Sequence, residues 1–402
     1  MKKKYISILG TYFLTEFGKQ MYLIVTMWLL YDLTRSAFLA GLLTSMGFLP
    51  NLFFNLIIGV IVDRFDRQRL AIYASLISAL DMILIFSLIY LGIVKPWMIV
   101  GVHMLLQVMG SLFRISMQSY ISEGFDKEEL PNILSKSGAA AEIGALVGSL
   151  TSGIIIAYIS MTLSMFVVII SFVFSSLLIY TTRLTVKTQI NSKVSIVSNF
   201  IDGFIYLKEN KFLFGLFSIS AVGQMVFHNS MSFLATYTGE FLAKSELTYG
   251  LLDATISLGG IMAGIFATIW WKKNGKSLIF RSLFILAIGL FSTALSPNLS
   301  ISFLGVFLIG LGTTLVRVNI QTIQQIATEP LYRGRVSSYR ILFNQGSVVI
   351  SGPILGWIAL KYGVNYTYLA LLLPTALIIF YSFQQSRQRY FFEITESVQN
   401  NS

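Results

Sequence analysis

The sequence predicts an all-α integral membrane protein with twelve transmembrane helices in two pseudo-symmetric six-helix bundles. Three observations carry this expectation. Of the 402 residues, 55% are hydrophobic and only 12% are charged, with a mean hydropathy of +0.74; soluble domains carry roughly a quarter charged residues. Apolar stretches recur along the whole chain, each long enough to cross a hydrocarbon core of about 30 Å. Basic residues gather in alternate connections between those stretches. The first two observations exclude a soluble enzyme, a secreted disulfide scaffold and a disordered chain. Cysteine is absent, which removes disulfides, thiolate metal sites and cysteine nucleophiles. Two histidines, His103 and His228, cannot build a histidine metal site alone, and no cofactor motif is present.

Breaking the chain at charge and turn clusters gives the spans in order. The first, 6–33, follows Lys2–Lys4 and superficially resembles a signal peptide. It is too long for an h-region and lacks a small-residue cleavage site, so it reads as a retained span. Arg35 separates it from 38–62, and Arg64, Arg67 and Arg69 separate that from 70–92. Lys95 precedes 97–121, Lys127 precedes 132–158, and a turn near 160 precedes 162–182. The connection 183–211 is polar and basic, then becomes amphipathic through Phe200, Phe204, Ile205 and Leu207; that pattern fits a helix lying along a membrane interface. The second set is 212–241, 249–271, 277–296, 299–327, 334–361 and 364–385, broken at Lys244, Lys272–Lys273, a turn near 297, Arg333–Arg335 and Lys361. The expected domains are therefore 1–182, a linker 183–211, 212–385 and a tail 386–402.

Basic residues orient the spans. With the N-terminus inside, the cytoplasmic segments hold Lys2–Lys4, Arg64, Arg67, Arg69, Lys127, Arg183, Lys187, Lys193, Lys208, Lys211, Lys272, Lys273, Lys276, Arg281, Arg333, Arg335, Arg387 and Arg389, and the opposite side only Arg35, Lys95, Lys244 and Lys361. This is the positive-inside bias, and it places both termini in the cytoplasm. It also explains the net charge of +11 without a nucleic-acid partner.

The halves echo each other. Arg114 in the fourth span and Arg317 in the tenth are separated by nearly the same interval as Gly148 in the fifth and Gly352 in the eleventh. Gly153 and Gly356 repeat the pairing. Such symmetry at half the chain length marks a transporter built from two related bundles; chance pairing in a glycine-rich chain is the competing reading.

Between spans two and three the chain reads Gly59-Val-Ile-Val-Asp63-Arg64-Phe-Asp66-Arg67-Gln-Arg69. Glycine allows close helix approach, aspartate can cap or pair at a helix end, and the arginines can pair with acids. This stretch resembles the signature loop of the major facilitator superfamily, with Asp66 in place of a glycine. Together with Gly47-Phe48-Leu49-Pro50, it is similar to the branch of macrolide-type multidrug efflux proteins, the drug–proton antiporters. The end of the tenth span, Gln321-Thr322 followed by Pro330-Leu-Tyr-Arg333-Gly334-Arg335-Val336-Ser337, carries the same resemblance. The resemblance implies that Asp63 meets the start of the eleventh helix, that an arginine meets Glu123 or Asp126 at the end of the fourth, and that these contacts with Arg64, Arg67, Arg333 and Arg335 gate transport. Two departures stand out. The antiporter arginine of the fourth helix is replaced within Gln107-Val-Met-Gly110, with Arg114 lying two turns further on, and Ser149 occupies the proline position of the fifth-helix motif. The eleventh helix keeps Gly352-Pro353-x2-Gly356.

Ionisable residues at bilayer depth are costly, at least ~2.5–3.5 kcal/mol each, and usually face a cavity or a partner. Glu16, Glu142 and Asp81 lie near the middle of spans one, five and three, and Asp253 lies nearer the outer end of the eighth. The resemblance implies that spans one and five border the cavity, so Glu16 and Glu142 are the candidates for proton coupling and for attracting cationic substrates. Competing structural readings are an ion pair of Glu16 with Lys19, a partner for Glu142 in Lys136 or Arg340, and a packed Asp81. Arg114 and Arg317 either bind an anionic substrate or brace the cytoplasmic end. Tyr12, Phe227 and Phe233 either line an apolar cavity or pack, and His228 reads as a packed polar residue. The expected function is efflux of amphipathic, macrolide-like or multidrug compounds by a monomer in the cell membrane, coupled to protons. The alternatives are export of one endogenous metabolite or siderophore, or a transporter-like sensor or immunity protein that moves nothing.

Overall fold

The computed structural model describes residues 2–126, 128–182, 184, 196–296, 298–329 and 332–387. The first part of the central connection, the tail from 388, Lys127, Arg183, Lys187, Lys193, Pro330 and Arg389 lie outside the described residues.

The described residues are helical and contain no strand. In chain order the helices are α1 Lys2–Thr34, α2 Ala37–Arg64, α3 Arg67–Tyr90, α4 Pro96–Gly124, α5 Leu130–Tyr158, α6 Met161–Thr181, α7 Ile196–Glu209, α8 Lys211–Thr236, α9 Glu246–Asn274, α10 Leu278–Ala294, α11 Leu299–Ala327, α12 Arg333–Tyr362 and α13 Asn365–Gln385. The twelve expected spans correspond to α1–α6 and α8–α13, and the amphipathic part of the linker to α7. Ten of the helices are long and apolar enough to cross a membrane. Of the other two, α10 is apolar but has 17 residues, and α1 is diluted by Glu16, Lys19 and Asp32. Leu373, Leu377 and Phe380 on α13 are exposed, as leucines facing acyl chains are.

Two compact units emerge from the contacts: Met1–Asn191 with Leu234–Ala254, and Ser192–Phe233 with Thr255–Ser402. In the first, α1 packs against both α5 and α6. The α1–α5 crossing uses glycines one turn apart: a Cβ on Gly144 would collide with the Phe13 carbonyl oxygen, and one on Gly148 would lie 2.6 Å from that of Phe17. Hydroxyls join α1 to α6, with Thr15 and Ser175 2.7 Å apart and Thr182 donating to Ser7 at 2.7 Å. Buried Ile8, Phe113, Met117, Tyr120 and Ile179 fill the end near the α2–α3 turn. Asp66 caps α3 there, its Oδ1 accepting from the Arg69 backbone N–H at 2.8 Å. Its φ of −60° suits any residue, so the loop needs no glycine at this position. Between α1 and α2, Arg35 adopts a positive φ of 49° and is held by bonds of 2.8 Å to the Tyr31 hydroxyl and to Asp32.

In the second unit α10 packs against α11 and α13. A hydrogen bond of 2.8 Å from Asn229 to the Ser351 hydroxyl joins α8 to α12. Helix α7 lies against the start of α12, where Tyr206 stacks on Tyr332 at 4.3 Å and Asp202 pairs with Arg335 at 3.2 Å. Pro353 sits inside α12, with Gly352 and Gly356 buried beside it.

Candidate functional site

The first unit places a polar lane along α1. Tyr12, Glu16 and Lys19 recur at helical spacing, so one face carries all three. Lys19 Nζ is 3.3 Å from Glu16 Oε2, with the two side chains 33% and 35% exposed. Tyr12 meets Phe113 of α4 edge to face at 6.1 Å and lies within electrostatic reach of both Glu16 and Arg114. The structure therefore brings Tyr12, Glu16 and Arg114 together, and the Glu16–Lys19 pair forms as the structural reading required. A half-open ion pair of this kind is cheap to break, so its carboxylate stays available to a competing cation or proton. Glu142 is half-buried on α5.

The most deeply held carboxylate is Asp253, which sequence reasoning set aside as lying near the outer end of its span. It is 1% exposed, accepts from Gln20 Nε2 of α1 at 2.6 Å and accepts from the Ser149 hydroxyl of α5 at 2.5 Å. Neither donor is charged. Close backbone approach beside it brings α5 and α9 together: a Cβ on Gly250 would lie 2.7 Å from the Gly153 Cα. The Gly153 expectation of helix packing thus holds, and Ser149, a departure from the antiporter motif, becomes a ligand to a buried acid. Asp81 is also buried, at 4%, and its Oδ2 has no hydrogen-bond partner among the described residues. Tyr22 and His103 stack at 5.9 Å in the same unit, and His103 Nε2 lies 3.3 Å from Gln107 Nε2. His103 and Gln107 thus fill the register where the antiporter arginine was expected.

At the α2–α3 turn, Arg67 Nη2 is 2.9 Å from Glu123 Oε1 at the end of α4, with Arg67 9% and Glu123 23% exposed. Of the two acids left open by the sequence, Glu123 is the partner and Asp126 is exposed. Asp63 and Arg64 are exposed as well. The expected close approach at Gly59 is not met, because a Cβ there would meet nothing within 4 Å. In the second unit Arg335 bonds Asp202, a partner that sequence reasoning missed, and Arg333 Nε donates to the Thr328 carbonyl at 3.3 Å. Phe233 is fully buried and packs, while Arg317 and His228 are half-buried.

Comparison with known proteins matches this architecture. The family model described as Major Facilitator Superfamily matches residues 8–345. Macrolide efflux protein A of Streptococcus pyogenes is 22% identical over 360 residues, covering 85% of each chain. The Enterococcus faecalis protein of the same name is 22% identical over 264 residues, covering 64% of this chain and 80% of its own. Among solved structures, a bacterial homologue of the human lysosomal transporter Spinster superposes with a TM-score of 0.76 at 14% identity, covering 97% of both chains. A D-xylose–proton symporter gives 0.75 at 13% identity, covering 95% of this chain and 98% of its own. A multi-pass helical chain with this signature turn, its Arg67–Glu123 pair and a family match across most of its length is a transporter and not an enzyme: it belongs to the major facilitator superfamily.

Proposed function

We propose that the chain is a secondary active exporter of amphipathic, drug-like molecules, working by alternating access and driven by inward proton flow. The observation that carries this reading is the Glu16–Lys19 pair beside Tyr12 and Arg114: a compensated carboxylate, about one third exposed, on a face that also offers an aromatic ring. A proton or an amphipathic cation would compete with Lys19 for that carboxylate, which is the minimum needed for exchange. Relatives named for macrolide efflux support the direction and the substrate class. Both termini on the cytoplasmic side, a bacterial cell membrane and a monomeric unit complete the proposal, with the Arg67–Glu123 contact part of its gate.

The test is efflux from proteoliposomes under an imposed pH gradient, with a panel of cationic and neutral dyes and macrolides. Glu16→Gln, at wild-type levels of reconstituted protein, is expected to lose proton-driven efflux while still letting substrate equilibrate. Glu142→Gln serves as the second candidate. If both variants keep wild-type proton-driven efflux, coupling through these carboxylates is wrong. If the wild-type protein binds dyes without moving them, the sensor reading replaces export.

A further inference from the structure

The second unit has an unusual charge inventory. From Thr255 to Arg387 the sequence contains one carboxylate, Glu329, in the turn before α12. Yet two arginines, Arg317 on α11 and Arg340 on α12, lie well inside membrane-crossing helices of this unit. Charges at that depth persist when they are partnered or face a polar cavity, and among its crossing helices this unit has no carboxylate to offer.

Their placement follows from one hydrogen bond. Gln324 Nε2 of α11 donates to the Ser337 hydroxyl of α12 at 3.0 Å, pinning the helices together beside the turn that joins them. Two turns back from Gln324, on the same face of α11, stands Arg317. On α12, Arg340 and Asn344 follow Ser337 at the three- and seven-residue spacings that share a face. The two rows therefore leave the Gln324–Ser337 bond side by side, and the two guanidinium groups lie within electrostatic range of each other. Arg340 Nε is buried with no hydrogen-bond partner among the described residues, and so is Asn344 Oδ1. Asn344 is only 9% exposed. Like charges placed side by side, with an unsatisfied donor and an unsatisfied acceptor one turn apart, call for a ligand that is negative and can both accept and donate.

We infer that Arg317, Arg340 and Asn344 form an oxyanion-binding site between α11 and α12, taking the phosphate or carboxylate group of a small anion or of a lipid headgroup. The planar guanidinium fork suits two oxygens of such a group, and Asn344 Oδ1 accepts from an O–H on the same ligand. The site goes beyond the export proposal and stands without it, since binding can be read without transport.

The experiment uses the purified full chain in phosphatidylcholine nanodiscs, with inorganic phosphate and sulfate as free probes and phosphatidylglycerol doped into the discs as the lipid probe. Thermal unfolding and titration calorimetry are the readouts. Saturable stabilisation by phosphate in pure phosphatidylcholine identifies a free-anion site, and stabilisation by phosphatidylglycerol alone identifies a headgroup site. In either case Arg317→Gln and Arg340→Gln are expected to weaken binding by about tenfold or more, as loss of one charge-assisted bond does, while Arg340→Lys retains part of it and Lys361→Gln changes nothing. For a free anion, phosphate with its O–H is expected to bind more tightly than sulfate, and Asn344→Leu to erase that preference. The site is overturned if neither kind of anion stabilises the wild-type chain, or if the arginine-to-glutamine variants bind as the wild type does. If those variants fail to fold, an unchanged response in both Arg340→Lys and Asn344→Leu overturns it equally.

Discussion

Asp253 is held by an amide and a hydroxyl with no cation beside it, so its two donors depend on it as much as it depends on them. Removing the acceptor strands both donors in a buried site, at roughly 1–3 kcal/mol for each unsatisfied group. Asp253→Ala is therefore expected to lower the unfolding midpoint of the purified protein in detergent. Asp253→Asn keeps an acceptor oxygen in the same place and is expected to retain most of the stability. Equal midpoints for the alanine variant and the wild type would remove the acid from the packing account. The two carboxylates also show what the residues alone could reveal. The Glu16–Lys19 pair was legible because its members sit three residues apart on one helix face. The partners of Asp253 lie 233 and 104 residues away in the chain, and no local spacing reports such a meeting. What the sequence offered was only an acid inside an apolar span, with Gly250 nearly one turn before it.

Helices carry a second lesson, because glycines of equal standing in the sequence have unequal roles. Gly148 lies against the Phe17 carbonyl of α1, while Gly59 has open space around it. A methyl group at Gly148 must push two helices apart, and overpacking of this kind costs typically 1–3 kcal/mol. A methyl group at Gly59 meets nothing and improves helix propensity by up to about 1 kcal/mol. Gly148→Ala is thus expected to lower the unfolding midpoint and Gly59→Ala to leave it unchanged or raise it. The opposite order would show that Gly59 packs closely in another state of the transport cycle. Hydropathy located every helix but could not rank these glycines, since it records what a span contains and not which face meets a neighbour. It also gave no sign of the π-helical turn Tyr237–Phe241 that extends α8. The amphipathic signal in the linker did identify α7, yet its docking on Tyr332 and Arg335 depends on side chains more than a hundred residues away.

For the whole molecule, orientation is the property that charge alone predicts and that a fold without a bilayer leaves open. The basic bias puts both termini, the α2–α3 turn and the α11–α12 turn on one side, and Lys95, Lys244 and Lys361 on the other. The chain has no cysteine, so any single introduced thiol reports its own location with no background. Lys244, exposed before α9, and Ser386, just past α13, are at predicted opposite faces. Neither substitution empties a packed core. In intact cells a membrane-impermeant maleimide is expected to label Lys244→Cys and to leave Ser386→Cys unlabelled until the membrane is opened. Labelling of Ser386→Cys from outside would invert the topology. It would also turn the proposed export direction around, because the Arg67–Glu123 pair, the α7 docking surface and the Arg317–Arg340 site all lie toward the same turns as the C-terminus, and would then face the exterior.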